Sequence, residues 1–158
     1  MAFLEVIHLS PNYTAAPAHE RLGVCFHHSV ETFERTIEIM TDATSRVSYH
    51  CLIAPDGMRC TFVPDDCVAW HAGMSAFRGR ENCNFFLLGL AFAGDTYREP
   101  LTAAQLASAL EWLAPRWARH RWTLDWMTDH RQVAPVRKND LNPVEWTHLH
   151  AALAARFG

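Results

Sequence analysis

Three stretches of the chain carry side chains whose types and spacing could do chemistry: His27-His28, Tyr49-His50, and the run from His130 to Asp140. Neighbouring side chains in a strand leave opposite faces, so only one of His27 and His28 can reach a shared ion. A hydrolytic zinc centre takes about three protein ligands from His, Asp, Glu or Cys and keeps one position open for water. His27, His130 and Asp140, drawn from separate segments, would meet that requirement. Lys138 stands two residues before Asp140. If that stretch is extended, both side chains leave the same face, and the ammonium is placed to stabilise a developing oxyanion. Structural readings stay open beside the chemical one. A histidine that ends an apolar strand is more often a hydrogen-bonded structural residue than a ligand. His50 could be a satisfied core residue, Asp140 could begin a turn, and Arg137-Lys138 could be a solvated basic face.

Those residues need elements to hold them. Gly23 to His28 is a short apolar run entered from a glycine, the pattern of a buried strand whose last residues emerge at a sheet end. Thr32 to Thr44 has apolar residues at Phe33, Ile37 and Met40, one face of a helix. Val47 to Ala54 and Met58 to Val63 flank the turn signal Pro55-Asp56-Gly57 and read as a hairpin. Ala69 to Asn84, rich in Gly, Asn and Arg, reads as a long irregular loop, the kind of segment that carries function. Phe85 to Ala93 is almost wholly apolar and reads as a central strand. Thr102 to Gln105 is a capping box that opens a helix through Leu106, Leu110 and Leu113, with Pro115 ending or kinking it. Asn142-Pro143-Val144-Glu145 opens the last helix. Helices alternating with apolar strands predict an α/β fold, a mixed central sheet flanked by helices, in a single domain over residues 1–158.

The bulk numbers narrow the classes of function. With 158 residues, 49% hydrophobic and 20% charged, the chain has the composition of a globular domain. A net charge of -3 leaves no basic excess for a nucleic-acid backbone or for polybasic membrane attachment. Met1 to Ser10 is apolar but holds Glu5 and has no preceding basic residues, so it does not read as a secretory signal. No apolar stretch is long enough to span a bilayer. Five cysteines, an odd number without a CxxC pair, read as reduced thiols of a cytoplasmic protein. Ten histidines suggest metal or acid-base chemistry, and six tryptophans a grooved binding surface. The series Trp112, Trp117, Trp122 and Trp126 reads as core, and His120 and His148 receive no function.

Five ordered blocks resemble the zinc amidases that include cytosolic anhydromuramoyl-peptide amidases, phage amidase-type lysozymes and animal peptidoglycan-recognition proteins. They are Val24 to Ser29, Arg46 to Ile53 with Asp56-Gly57, Ala69 to Gly73, Arg78 to Asn84, and His130 to Asp140. The likeness runs from Gly23 to the last helix, and the Arg78 to Asn84 block looks most like the cytosolic recycling branch. It implies zinc held by His27, His130 and Asp140, with the family lysine at Lys138. The implied reaction is hydrolysis of the amide between the muramic acid lactyl group and the stem peptide, on anhydromuropeptides. Trp70, His71, Arg80 and Asn84 are then candidates to bind the muropeptide. Cytosolic members usually carry a glutamate general base on the strand after Asn84, where this chain reads Gly89-Leu90-Ala91. Phage and animal branches lack that glutamate and place a tyrosine where this chain has Tyr49, so Tyr49 takes the role of partner to the water or oxyanion. The usual Gly-His is Asp129-His130, and the usual Asp-Pro-Gly is Asp140-Leu141-Asn142. These changes fit two further expectations: a zinc hydrolase acting on a different amide, or a muropeptide-binding protein that has lost catalysis.

Overall fold

The computed structural model describes residues 2–158. Its strands are β1 (Glu5–Ile7), β2 (Tyr13–Ala15), β3 (Gly23–His28), β4 (Cys51–Ile53), β5 (Arg59–Thr61), β6 (Cys67–Ala69), β7 (Ala76–Phe77), β8 (Arg80–Glu81), β9 (Leu87–Phe92) and β10 (Met127–Asp129). Its helices are α1 (Phe33–Met40), α2 (Ala103–His120), α3 (His130–Val133) and α4 (Pro143–Phe157). Six strands form one mixed sheet in the order β1-β5-β4-β9-β3-β10, with β5 antiparallel to β4 and the other pairings parallel. This is the mixed central sheet flanked by helices that the sequence predicts.

β3 and β9 are neighbouring interior strands, buried along their whole length, which is why they read as continuous apolar runs rather than alternating ones. One face carries Phe26, Leu88, Leu90 and Phe92 against Trp112, Leu113 and Trp117 of α2 and Leu149 and Leu153 of α4. Trp122 joins that core, whereas Trp126 packs in a smaller cluster with Phe86. On the other face the register sets His27 beside Ala91 and Ala91 beside Leu52, and α1 packs Phe33 and Met40 against the same patch.

Several boundaries differ from the sequence reading, each for a local reason. The hairpin around Pro55–Gly57 forms, with Gly57 in the left-handed region at φ +92°, but its strands shrink to β4 and β5. Ser48 leaves the ladder because its amide and hydroxyl bond to the Trp70 backbone instead. The predicted helix over Thr32 to Thr44 becomes α1, with Thr32 as its cap and a separate short turn at Ala43–Ser45. α2 does not end at Pro115 but runs on to His120. Trp112 and Trp117 bury on the sheet on both sides of the proline, and Arg116 Nη1 donates to the Trp112 carbonyl at 2.8 Å. Thr102 and Gln105 close the predicted capping box. Asn142 caps α4, accepting from Val144 N at 2.9 Å. The Ala69 to Asn84 segment is irregular except for the ribbon β7–β8, which turns at Arg78-Gly79, both at positive φ.

Candidate metal centre and its cavity

His27 is the fifth residue of β3 and projects from the face that carries Ala91. His130 opens α3 directly after β10, whose partner in the sheet is β3, so parallel pairing brings the two imidazoles to the same sheet end. Asp140 follows α3 in a segment without regular structure, and its Oδ2 accepts from the His28 amide at 3.3 Å. The Nδ1 atoms of His27 and His130 lie 3.0 Å apart, and each is 3.5 Å from an oxygen of Asp140. All three residues are buried.

Asp129, the residue before His130, holds this arrangement together. Its Oδ1 accepts from the Gln132 amide at 3.1 Å and caps α3, while its Oδ2 accepts from Leu141 N at 3.0 Å. One buried carboxylate therefore ties the residue after Asp140 to the residue before His130. Sequence reasoning noted Asp129 only as an unusual neighbour of His130. The signal that could have found it is the Asp129-x-x-Gln132 capping pattern.

The donor set suits a divalent ion of intermediate softness: two imidazole nitrogens and a carboxylate oxygen, converging with no fourth His, Cys, Asp or Glu among the described residues. His130 Nε2 faces the Ala72 carbonyl at 3.1 Å, so that nitrogen carries the proton and Nδ1 presents its lone pair. Burial, then the neighbouring His130 charge, pushes the His27 pKa down to about 4, leaving a neutral ring at neutral pH. Burial opposes ionisation of Asp140, but the facing His130 and His27 rings outweigh it and hold the carboxyl well below the usual carboxylate range. Cys25, His27 and His71 also converge, but the His27 nitrogen on that side already meets His71 at 3.0 Å.

A cavity of about 630 Å³ opens over the cluster, lined among others by Tyr49, Trp70, His71, Lys138 and Asn139. Tyr49 packs its ring 5.2 Å from that of His27, and burial, then the Asp140 charge, raises its phenol well above the ordinary value. It is a proton-bearing donor at neutral pH. Lys138 is exposed and lines the cavity, as does Asp140 two residues on. Trp70 reaches the cavity with its Nε1 donating to Thr14 Oγ1 at 2.9 Å. Among the described residues Asp140 is the sole carboxylate on the cavity wall, and Ala91 is wholly buried beside His27.

Two candidates fall elsewhere. Arg80 pairs with Glu20 at 2.5 Å, lies over the Phe86 ring and does not line the cavity. Asn84 also stays off the cavity wall, its Oδ1 accepting from the amides of His71 and Ala72. His50 is a satisfied core residue: Nδ1 accepts from Gly89 N at 3.0 Å and Nε2 faces the Cys67 carbonyl at 2.9 Å. Arg137, read as part of a solvated face, donates to the Ala72 and Met74 carbonyls.

Residues 8–143 match the family model of N-acetylmuramoyl-L-alanine amidase. The chain is 40% identical over 165 aligned residues to the 1,6-anhydro-N-acetylmuramyl-L-alanine amidase AmpD of Salmonella typhimurium (strain SL1344), covering 92% of this chain and 88% of that one. To the AmpD of Enterobacter cloacae it is 39% identical over 108 residues, and that match spans 68% of this chain and 57% of the relative's length. A crystal structure of a selenomethionine AmpD derivative superposes with a TM-score of 0.82 at 28% identity, covering 96% of this chain and 95% of the other. Family model, relatives and superposition agree with the site geometry: the chain belongs to the N-acetylmuramoyl-L-alanine amidase family.

Proposed function

We propose that residues 1–158 act as one amidase domain that hydrolyses the amide joining the muramic acid lactyl group to the L-alanine of the stem peptide. The substrate is an anhydromuropeptide met in the cytoplasm during cell-wall recycling, and the cofactor is zinc held by His27, His130 and Asp140. The observation that carries this reading is the convergence of those three side chains, with His130 and Asp140 on the wall of a cavity that Tyr49 and Lys138 also line. The AmpD names of its relatives support the anhydro substrate. Five free cysteines support a reducing compartment, and among the described residues no helix is long and apolar enough to cross a membrane.

A zinc ion at this site supplies Lewis acidity toward water and toward the lactyl carbonyl. The chain's own groups do the rest. In the reaction the water oxygen bonds to the lactyl carbon, the C–N bond breaks and the proton that the water gives up passes to the leaving alanine amine. Tyr49, held protonated, orients the attacking water or donates to the oxygen that gains charge, and Lys138, on the same cavity lining, offsets that charge. His28 fixes Asp140 through its backbone amide, which keeps the carboxylate aimed at both imidazoles. Trp70 offers a flat surface for the sugar or peptide.

The test is incubation of zinc-loaded protein with anhydromuramoyl peptide and detection of released peptide by mass spectrometry. Absence of release across several muropeptides, with zinc bound, would remove the enzymatic reading. Ala91 beside His27 favours one second reading, a binder without turnover, because β9 offers no carboxylate there. Calorimetry showing saturable muropeptide binding alongside that absence would select it.

A further inference from the structure

The short segment Trp70-His71-Ala72 lies behind both histidine ligands, touching one with a side chain and the other with a carbonyl. His71 Nε2 lies 2.9 Å from the Leu87 carbonyl. A carbonyl only accepts, so this nitrogen carries the proton and Nδ1 is left with its lone pair. That lone pair faces His27 Nε2 at 3.0 Å, which makes His27 Nε2 the donor and leaves His27 Nδ1 as the bare nitrogen turned toward Asp140. On the other side His130 Nε2 donates to the Ala72 carbonyl at 3.1 Å, with the same result for its Nδ1.

Two further features fix the segment itself. The amides of His71 and Ala72 donate to a single atom, Asn84 Oδ1, at 3.0 and 2.7 Å, and two donors demand that this atom be the oxygen. Beneath the His71 ring lies Gly89 of the central strand, where a Cβ would come 2.5 Å from His71 Cγ. The ring thus occupies the space that a side chain on β9 would take.

We propose that Asn84 and His71 are positioning residues for the metal centre: they set the tautomer and ring orientation of His27 through His71 Nδ1, and of His130 through the Ala72 carbonyl. The proposal rests on the metal-centre reading above. One amide side chain outside the cavity thereby governs two of three ligands.

The experiment measures zinc affinity by competition with a chromophoric chelator, on the full chain and on His71→Ala, Asn84→Ala and Asn84→Asp. Melting of each zinc-free form is followed in parallel. His71→Ala and Asn84→Ala are expected to weaken zinc about 10- to 100-fold. Asn84→Asp keeps an oxygen for both amides and restores most of the affinity. Unchanged affinity in His71→Ala and Asn84→Ala overturns the proposal and leaves the metal centre standing. So does a loss that merely tracks a fall in zinc-free stability and is not rescued by aspartate. Failure of the unsubstituted chain to bind zinc overturns both. Long-range 15N–1H correlation spectra of the unsubstituted chain give a reading that survives misfolding of any variant. Protons on Nε2 of His27 and of His71 are expected, and a proton on His71 Nδ1 overturns the proposal.

Discussion

Tyr49 and His50 are neighbours with opposite duties, and each gives a prediction at the scale of the residue. Tyr49 faces the cavity with a phenol whose pKa burial raises, so it can give a hydrogen bond but cannot serve as a base near neutral pH. Tyr49→Phe is expected to retain zinc and to lower kcat about 100-fold, the scale for loss of one donor to a developing oxyanion. An unaltered kcat on an anhydromuropeptide would take Tyr49 out of the mechanism. His50 points into the core, where burial pushes its pKa down to about 4. In the unfolded chain a histidine titrates near ~6.5, so below that pH the unfolded state binds a proton that the folded state refuses. Stability of the zinc-free protein therefore falls as pH drops from about 6.5 to about 4, by about 3 kcal/mol from this one ring. Urea midpoints across that window check the sign, and a flat profile for unsubstituted protein would refute it. The convergence of His27, His130 and Asp140 was legible because their residue types and order match those of the blocks the sequence resembles. The roles of Asn84 and Asp129 were not, since they depend on which amides fold back onto them.

At the scale of elements, the sheet centre decides how much room the site has. Gly89→Ala would drive a methyl into the His71 ring, and the expected cost is about 1–3 kcal/mol of stability together with weakened zinc binding. Chemical denaturation and chelator competition on the same sample separate the two losses, and wild-type values in both would show that the ring can shift freely. Away from the site, Thr102→Ala removes the capping box of α2 and should cost about 1 kcal/mol with no effect on zinc. β3 and β9 could be read from the sequence because burial on both faces leaves an unbroken apolar run. β1 and β10 could not. The Glu5 to Ile7 edge strand leaves two of its three residues exposed, and Met127 to Asp129 is too short to show a period. The hairpin strands read too long because Ser48 is spoken for by Trp70, a partner that no local pattern reveals.

For the whole molecule, zinc is expected to act as a stabilising ligand as well as a cofactor. At a free concentration about 100 times Kd, binding to the folded state alone adds about 2.7 kcal/mol, or a rise in Tm of about 5–10 °C for a chain of this size. A chelator should reverse the shift, and calorimetric scans with and without it would expose any failure. His27 and His130 lie 103 positions apart in the chain, and Asp140 comes later still. Because translation proceeds from the amino end, the third of these side chains is made only after every strand of the central sheet. A nascent fragment ending before residue 140 lacks one member of the proposed metal centre, so with that centre hydrolytic capacity would arrive late and all at once rather than by degrees.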